Sequence, residues 1–160
     1  IQPDIAIFGE KDYQQLLVIN QLMRDLDLPV QIIAGQTFRE NDGLAMSSRN
    51  SRLSESERKI AANIYRLLQI TGEKLQSGVA VSKAIQNAID ELARFGINKI
   101  DYFSLRDPIT LEPLTKFKKD ARLLVAVHVG ATRLIDNIAV SFIQSGAINS
   151  EYHHQRKTFL

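Results

Sequence analysis

The sequence has no cysteine, which excludes a disulfide framework, a thiolate nucleophile and any cysteine-based metal site. It lacks an uninterrupted apolar run of the ~18 residues that a membrane span requires, and its opening residues do not show the layout of a signal peptide. The expected compartment is the cytoplasm, with no membrane partner. Neither sign of charge dominates: 20 Lys and Arg stand against 18 Asp and Glu. The resulting net charge of +2 leaves no basic stripe of the kind that nucleic-acid binding needs, so no nucleic-acid partner is expected. Histidine is scarce, with three in 160 residues. His128 lies in an apolar stretch and reads as structural, and the pair His153 and His154 has no third ligand nearby, so no metal site is expected. Internal repeats and low-complexity segments are missing too. What is present is 44% apolar residues, enough to build the core of one ordinary domain or two small ones.

The chain enters a strand almost at once, over Asp4 to Phe8, with Gly9 as its turn. From Asp12 to Leu28 the apolar residues Leu16, Ile19, Leu22, Met23 and Leu26 recur at spacings of three and four, which predicts a helix with one apolar face. Pro29 stops it, and Val30 to Ala34 resumes as a β-branched strand. This is a βαβ unit. A parallel pair of strands is rarely stable alone, so residues 1–38 read as the last piece of a larger parallel sheet, and the chain reads as cut. Residues 39–53 are polar, with Asp42-Gly43 as a turn, and form a loop and hinge. Ser54 followed by Glu57 is a capping box that starts a helix near Glu55, carrying Ile60, Ile64, Leu67 and Leu68 to a stop at Gly78, with Gly72 a weak point in its middle. A second helix over Ser82 to Phe95 stops at Gly96. From Lys99 the period changes to two, giving strands in KIDYFSLRD, ARLLVAVHV and RLIDNIAV. Residues 54–144 are thus two helices on a mainly antiparallel sheet, an α+β unit. The tail, 145–160, shows no pattern and reads as mobile.

Two stretches can carry chemistry. Lys11 falls where a helix begins, at the positive end of its dipole, which disfavours a cation but attracts phosphate. Ligands of parallel sheets bind at the carboxyl ends of the strands, which is where this lysine falls. Alternatively Lys11 is simply solvated between Glu10 and Asp12. GLAMSSRN, residues 43–50, offers two hydroxyls and a guanidinium suited to phosphate oxygens, or else is a serine-rich linker. Both stretches would lie at one edge of the sheet. Elsewhere the sequence neighbours Arg106 with Asp107, and Arg133 with Asp136, read as surface ion pairs of little worth. Tyr102, Phe103 and Phe95 read as a core cluster.

DIAIFGEKDYQQL together with RENDGLAMSSRN resembles the pantothenate synthetase family, and DYFSLRD and LLVAVHVGATRLIDN resemble its C-terminal domain; the likeness covers residues 1 to about 140. It implies the last βαβ unit of a Rossmann-like nucleotidyl-transfer domain, an α/β remnant, followed by a small α+β lid domain. The implied reaction joins pantoate to β-alanine at the expense of Mg-ATP, through a pantoyl adenylate. Carried over by position, Lys11, Ser47, Ser48 and Arg49 hold the ATP phosphates and are the catalytic group. Gly9 and Asp12 contact adenosine, Phe38 and Met46 border the adenine, and Gln15 hydrogen-bonds pantoate. The family's H-x-G-H nucleotide motif is missing, so the resemblance also implies a C-terminal fragment, inactive alone, of a protein that forms a homodimer. A related adenylate-forming transferase for another acid, or a non-catalytic interaction module, remain alternatives.

Overall fold

The computed structural model describes residues 3–142; the tail and its histidine pair lie outside them. Two sheets organise the chain. The first contains β1 (Ile5–Gly9) and β2 (Gln31–Gly35), which run parallel in register from Ile5 opposite Gln31 to Gly9 opposite Gly35. Between them lies α1 (Tyr13–Asp25). It begins later than its apolar periodicity suggests, because Glu10–Asp12 form a separate 3-10 turn. Of the apolar face expected on α1, only Leu16 is buried, whereas Leu22 and Leu26 are 46% and 58% exposed. Ile5 and Ile7 of β1 are exposed as well. Periodicity records which face a helix would bury, but burial needs a partner layer, and here β1 and β2 alone are too narrow to cover it.

The second sheet has the order β3 (Lys99–Arg106), β4 (Ala121–Val129) and β5 (Thr132–Val140), antiparallel throughout. Helices α2 (Glu55–Ala61), α3 (Asn63–Gln76) and α4 (Val81–Arg94) accompany it. The capping box is present: Ser54 Oγ accepts from Glu57 N at 3.3 Å, and Ser54 N donates to Glu57 Oε2 at 2.8 Å. The single helix expected from Glu55 to Ser77 is broken at Ala62 into α2 and α3. α3 runs through Gly72 unbroken, and a Cβ there would make ordinary van der Waals contact with Ile138 Cδ1 at 3.4 Å.

Strand alternation divides the second sheet into two faces. Phe103, Leu105, Leu123, Val125, Val127 and Leu134 are buried among Ile64, Leu68, Leu75, Ala84 and Leu92 of α3 and α4. Tyr102, by contrast, is 39% exposed on the other side of β3, so the expected Tyr102, Phe103 and Phe95 core cluster is split by the pleat. The second face carries Ser104, Arg106, Arg122, Leu124, Ile135 and Asn137 and turns toward the start of α1. Among the described residues no helix is long and apolar enough to cross a membrane.

Candidate active site

The site is assembled by two consecutive residues of β5 that, by the pleat, point to opposite faces. Asn137, 3% exposed, donates from Nδ2 to the carbonyls of Glu10 at 3.0 Å and Lys11 at 2.9 Å. Its Oδ1 accepts from Arg122 Nε at 2.7 Å, and the Arg122 guanidinium lies 4.1 Å from the ring centre of Tyr13. The Tyr13 hydroxyl in turn donates to the Pro108 carbonyl at 2.8 Å. These contacts fasten the 3-10 turn bearing Lys11 to the second sheet.

Asp136, 4% exposed, takes the other segment. It accepts two hydrogen bonds from Arg39, at 2.6 and 3.0 Å, in the bidentate arrangement that orients as well as attracts. Arg39 also donates to the Gly43 carbonyl at 3.1 Å and stacks 3.6 Å from the Tyr65 ring centre. Around Gly43 the chain makes a tight hairpin, with Glu40 N on the Leu44 carbonyl at 2.9 Å and Leu44 and Ala45 buried. Gly43 sits at φ +89, where a Cβ would also meet Tyr65 Cδ1 at 2.7 Å. Arg58 clasps Glu40 and Asp42, which holds both carboxyls below the usual carboxylate range. The Asp42-Gly43 turn is therefore held by two arginines.

The hairpin delivers Met46 to Lys11, whose Nζ donates to the Met46 carbonyl at 3.2 Å. A Lys11 ammonium has three donors, so two point elsewhere. Burial lowers its pKa, opposed by Asp136 and Asp12 and reinforced by Arg49 and Arg39. From Met46 the chain passes directly into Ser47, which accepts from Arg49 N at 3.2 Å and caps a 3-10 turn, Ser48–Arg52. Ser48 and Arg49 are exposed. Phe38 and Met46 are hydrogen-bonded backbone neighbours, Met46 N on the Phe38 carbonyl at 2.9 Å, and their side chains are 79% and 57% exposed. Gly9 closes β1, directly ahead of the Lys11 turn.

Lys11, Asp12 and Gln15 also line a cleft of about 650 Å³ between the start of α1 and the open face of the second sheet, with Tyr102, Ser104, Arg106 and Arg133 on its far wall. Gly9, Phe38, Met46, Ser47, Ser48 and Arg49 are not part of that lining; Met46 and the serine–arginine turn lie on the hairpin side of Lys11. The expected ion pairs between sequence neighbours are not made. Asp107 is bound by Lys119 and by the backbone of Thr110 and Ile109, which holds its carboxyl well below the usual range, while Arg133 pairs with Asp101 at 2.6 Å. Residues adjacent on a strand face opposite ways, as do residues three apart, so neither pair could meet. Arg39, Arg122, Asp136 and Asn137 are the site residues that sequence reasoning missed. Two polar residues in mid-strand, Asp136-Asn137 between Ile135 and Ile138, were the available signal.

At its parallel-strand end the chain presents a half-buried cation beside a serine and arginine turn, groups whose charge and donors suit an anion. The comparison with known proteins is more particular. The model of the pantoate-beta-alanine ligase family matches residues 1–139, and the chain belongs to that family. Pantothenate synthetases of Rhodospirillum rubrum and Marinobacter nauticus are 48% and 49% identical over 141 and 142 residues, 88% of this chain and 50% of each relative. The chain thus spans about half the length of the curated relatives it matches. A crystal structure of pantothenate synthetase from Thermus thermophilus superposes with a TM-score of 0.83 at 42% identity, covering 88% of this chain and 51% of that one. The pantoate-beta-alanine ligase from Francisella tularensis, complexed with beta-gamma ATP and beta-alanine, superposes with a TM-score of 0.64 at 29% identity, covering 86% and 44%.

Proposed function

We propose that this chain carries the phosphate-binding side of an ATP-dependent pantoate–β-alanine ligase. The reading rests foremost on the contact between Lys11 Nζ and the Met46 carbonyl, which joins the end of a parallel strand to the Ser47, Ser48 and Arg49 turn. The pantoate carboxylate attacks the α-phosphorus of ATP and pyrophosphate departs, leaving pantoyl adenylate. The β-alanine amine then attacks the acyl carbon and AMP departs with the bonding electrons and, in the end, the phosphate charge. Negative charge moves onto non-bridging and leaving oxygens in the first step, so catalysis needs positioned cations and donors rather than a covalent nucleophile. Lys11 and Arg49 supply the cations, Ser47 and Ser48 the hydroxyl donors. Gly9 and Asp12 adjoin the adenosine, the exposed Phe38 and Met46 side chains flank the adenine, and Gln15 in the cleft holds pantoate.

Mg²⁺ enters in this reading with ATP. There the ion would be held by phosphate oxygens as part of the substrate and would neutralise their charge. The Rossmann-like nucleotide domain, the hinge at 39–53, closure of 54–144 over ATP, and the homodimer belong to the same proposal.

The test is AMP formation from ATP, pantoate and β-alanine, measured for this chain and for the protein at its relatives' length, each with Lys11→Ala. Activity is expected at full length only, falling by at least ~100-fold in the variant. A full-length protein that condenses these substrates equally well without Lys11 would overturn the assignment.

A further inference from the structure

The 650 Å³ cleft contains one cation that the proposed function leaves unused. Its other charges are accounted for. Asp136 is paired with Arg39, Arg133 with Asp101, and Lys11 with Asp12 nearby faces the phosphate side. Arg106 is half-buried on the open face of β3 and has no carboxylate partner among the described residues. Its sequence neighbour Asp107 faces the other way and is taken by Lys119. An arginine set into a cleft wall without a counter-charge loses hydration without recovering it from the protein, a cost that a bound anion would offset.

Arg106 is also held in place. Its Nε donates to Ser104 Oγ at 3.1 Å and one terminal nitrogen donates to the Leu111 carbonyl at 3.3 Å. Leu111, itself a cleft residue, is kept at φ +60, a conformation unfavourable for leucine, by its own N–H on the Asp107 carbonyl at 3.1 Å and by Asp107 N on the Glu112 carbonyl at 2.9 Å. Two of the five guanidinium donors are engaged, which leaves three to meet a ligand. A flat guanidinium fixed on one edge matches one ligand group best, a planar carboxylate.

We propose that Arg106, supported by Ser104 and the Leu111 carbonyl, binds the carboxylate of the amine substrate and sets its specificity; the assignment rests on the proposed ligase function. Pantoate loses its carboxylate charge on adenylation, so at the second step β-alanine holds the only free carboxylate. That carboxylate is about 5 Å from the reacting amine in an extended molecule. An arginine across the cleft from Gln15 would therefore anchor one end of β-alanine while the other reaches the acyl carbon, and amines without the acid would lose the anchor.

The experiment separates the two half-reactions in the full-length protein. Pantoate-dependent exchange of labelled pyrophosphate into ATP reads adenylation, and AMP release against β-alanine concentration reads the second step. Arg106→Ala and Arg106→Lys are expected to leave exchange within about two-fold, and to raise the KM for β-alanine roughly 10- to 100-fold, the lysine less than the alanine. The preference for β-alanine over 3-amino-1-propanol, which lacks the carboxylate, should shrink by the same factor. Because that preference compares two substrates on one enzyme, partial misfolding does not change it. An unaltered preference, or an equal loss in exchange, would overturn the role of Arg106 while the ligase reading stands. No exchange in the parent protein would overturn both.

Discussion

Replacement of Asn137 by alanine should loosen the turn that bears Lys11 more than it disturbs the core. Three hydrogen bonds are lost: two from Nδ2 to the Glu10 and Lys11 carbonyls, and one from Arg122 Nε to Oδ1. A neutral bond contributes ~1 kcal/mol and one to a charged group ~1.5–3 kcal/mol, so the expected destabilisation is about 3–5 kcal/mol. Arg122, 8% exposed, would keep only its stacking on Tyr13 and its long 3.4 Å contact to Glu10, which places the outcome toward the upper end. For a chain of this size that corresponds to roughly 6–20 °C in melting temperature. Thermal unfolding followed by circular dichroism measures the loss, and amide hydrogen exchange locates it. Protection should fall at residues 10–13 before it falls in β4. Asn137→Asp keeps the acceptor for Arg122 but sets a carboxylate against two carbonyls, so it should protect the turn no better than alanine. Asn63→Ala, which removes only bonds to helical carbonyls near the surface, is the control. A loss below about 1 kcal/mol for Asn137→Ala, less than even one typical hydrogen bond contributes, with unchanged exchange at the turn, would refute the view that this side chain fastens the site.

Two other outcomes follow from the geometry. Gly43→Ala must adopt φ +89 and push the Tyr65 ring from a 2.7 Å contact, so it should cost at least ~1–2 kcal/mol in chemical denaturation; Tyr65→Ala added to it should recover the steric part and leave the conformational part. Burial lowers the Lys11 pKa from its usual value of 10.5, so the protonated form is the one the folded state disfavours. ATP binding that needs the ammonium should weaken as pH rises through the lowered pKa, earlier than an ordinary lysine would dictate. The burial cost to stability is present below that pKa and gone above 10.5. Calorimetric titration between about pH 7 and about pH 10 checks this, and Lys11→Arg, which stays charged, should flatten the curve.

Much of the scaffold was legible in residue order because its causes are local. Ser54 and Glu57 announce a helix start through bonds three residues apart, and Gly78 and Gly96 end α3 and α4 at φ +89 and +87. The period of two within 99–106 and 121–140 reports the strands of the second sheet. The same local reading failed where a partner layer or a distant side chain decides. The apolar face of α1 stays largely open, because periodicity cannot say what lies opposite it. Lys11 sits in a 3-10 turn rather than in α1, since the carbonyls of Glu10 and Lys11 are claimed by Asn137, some 126 residues on.

The lysine and the serine–arginine turn were visible in the sequence by themselves, as groups suited to an anion. What brought them together was the tertiary structure, through Asp136 and Asn137 on opposite faces of one strand. Each makes its decisive bonds across about a hundred residues. A sequence specifies such contacts only through the whole fold, because the energy that selects them depends on burial and on partners that no short window contains.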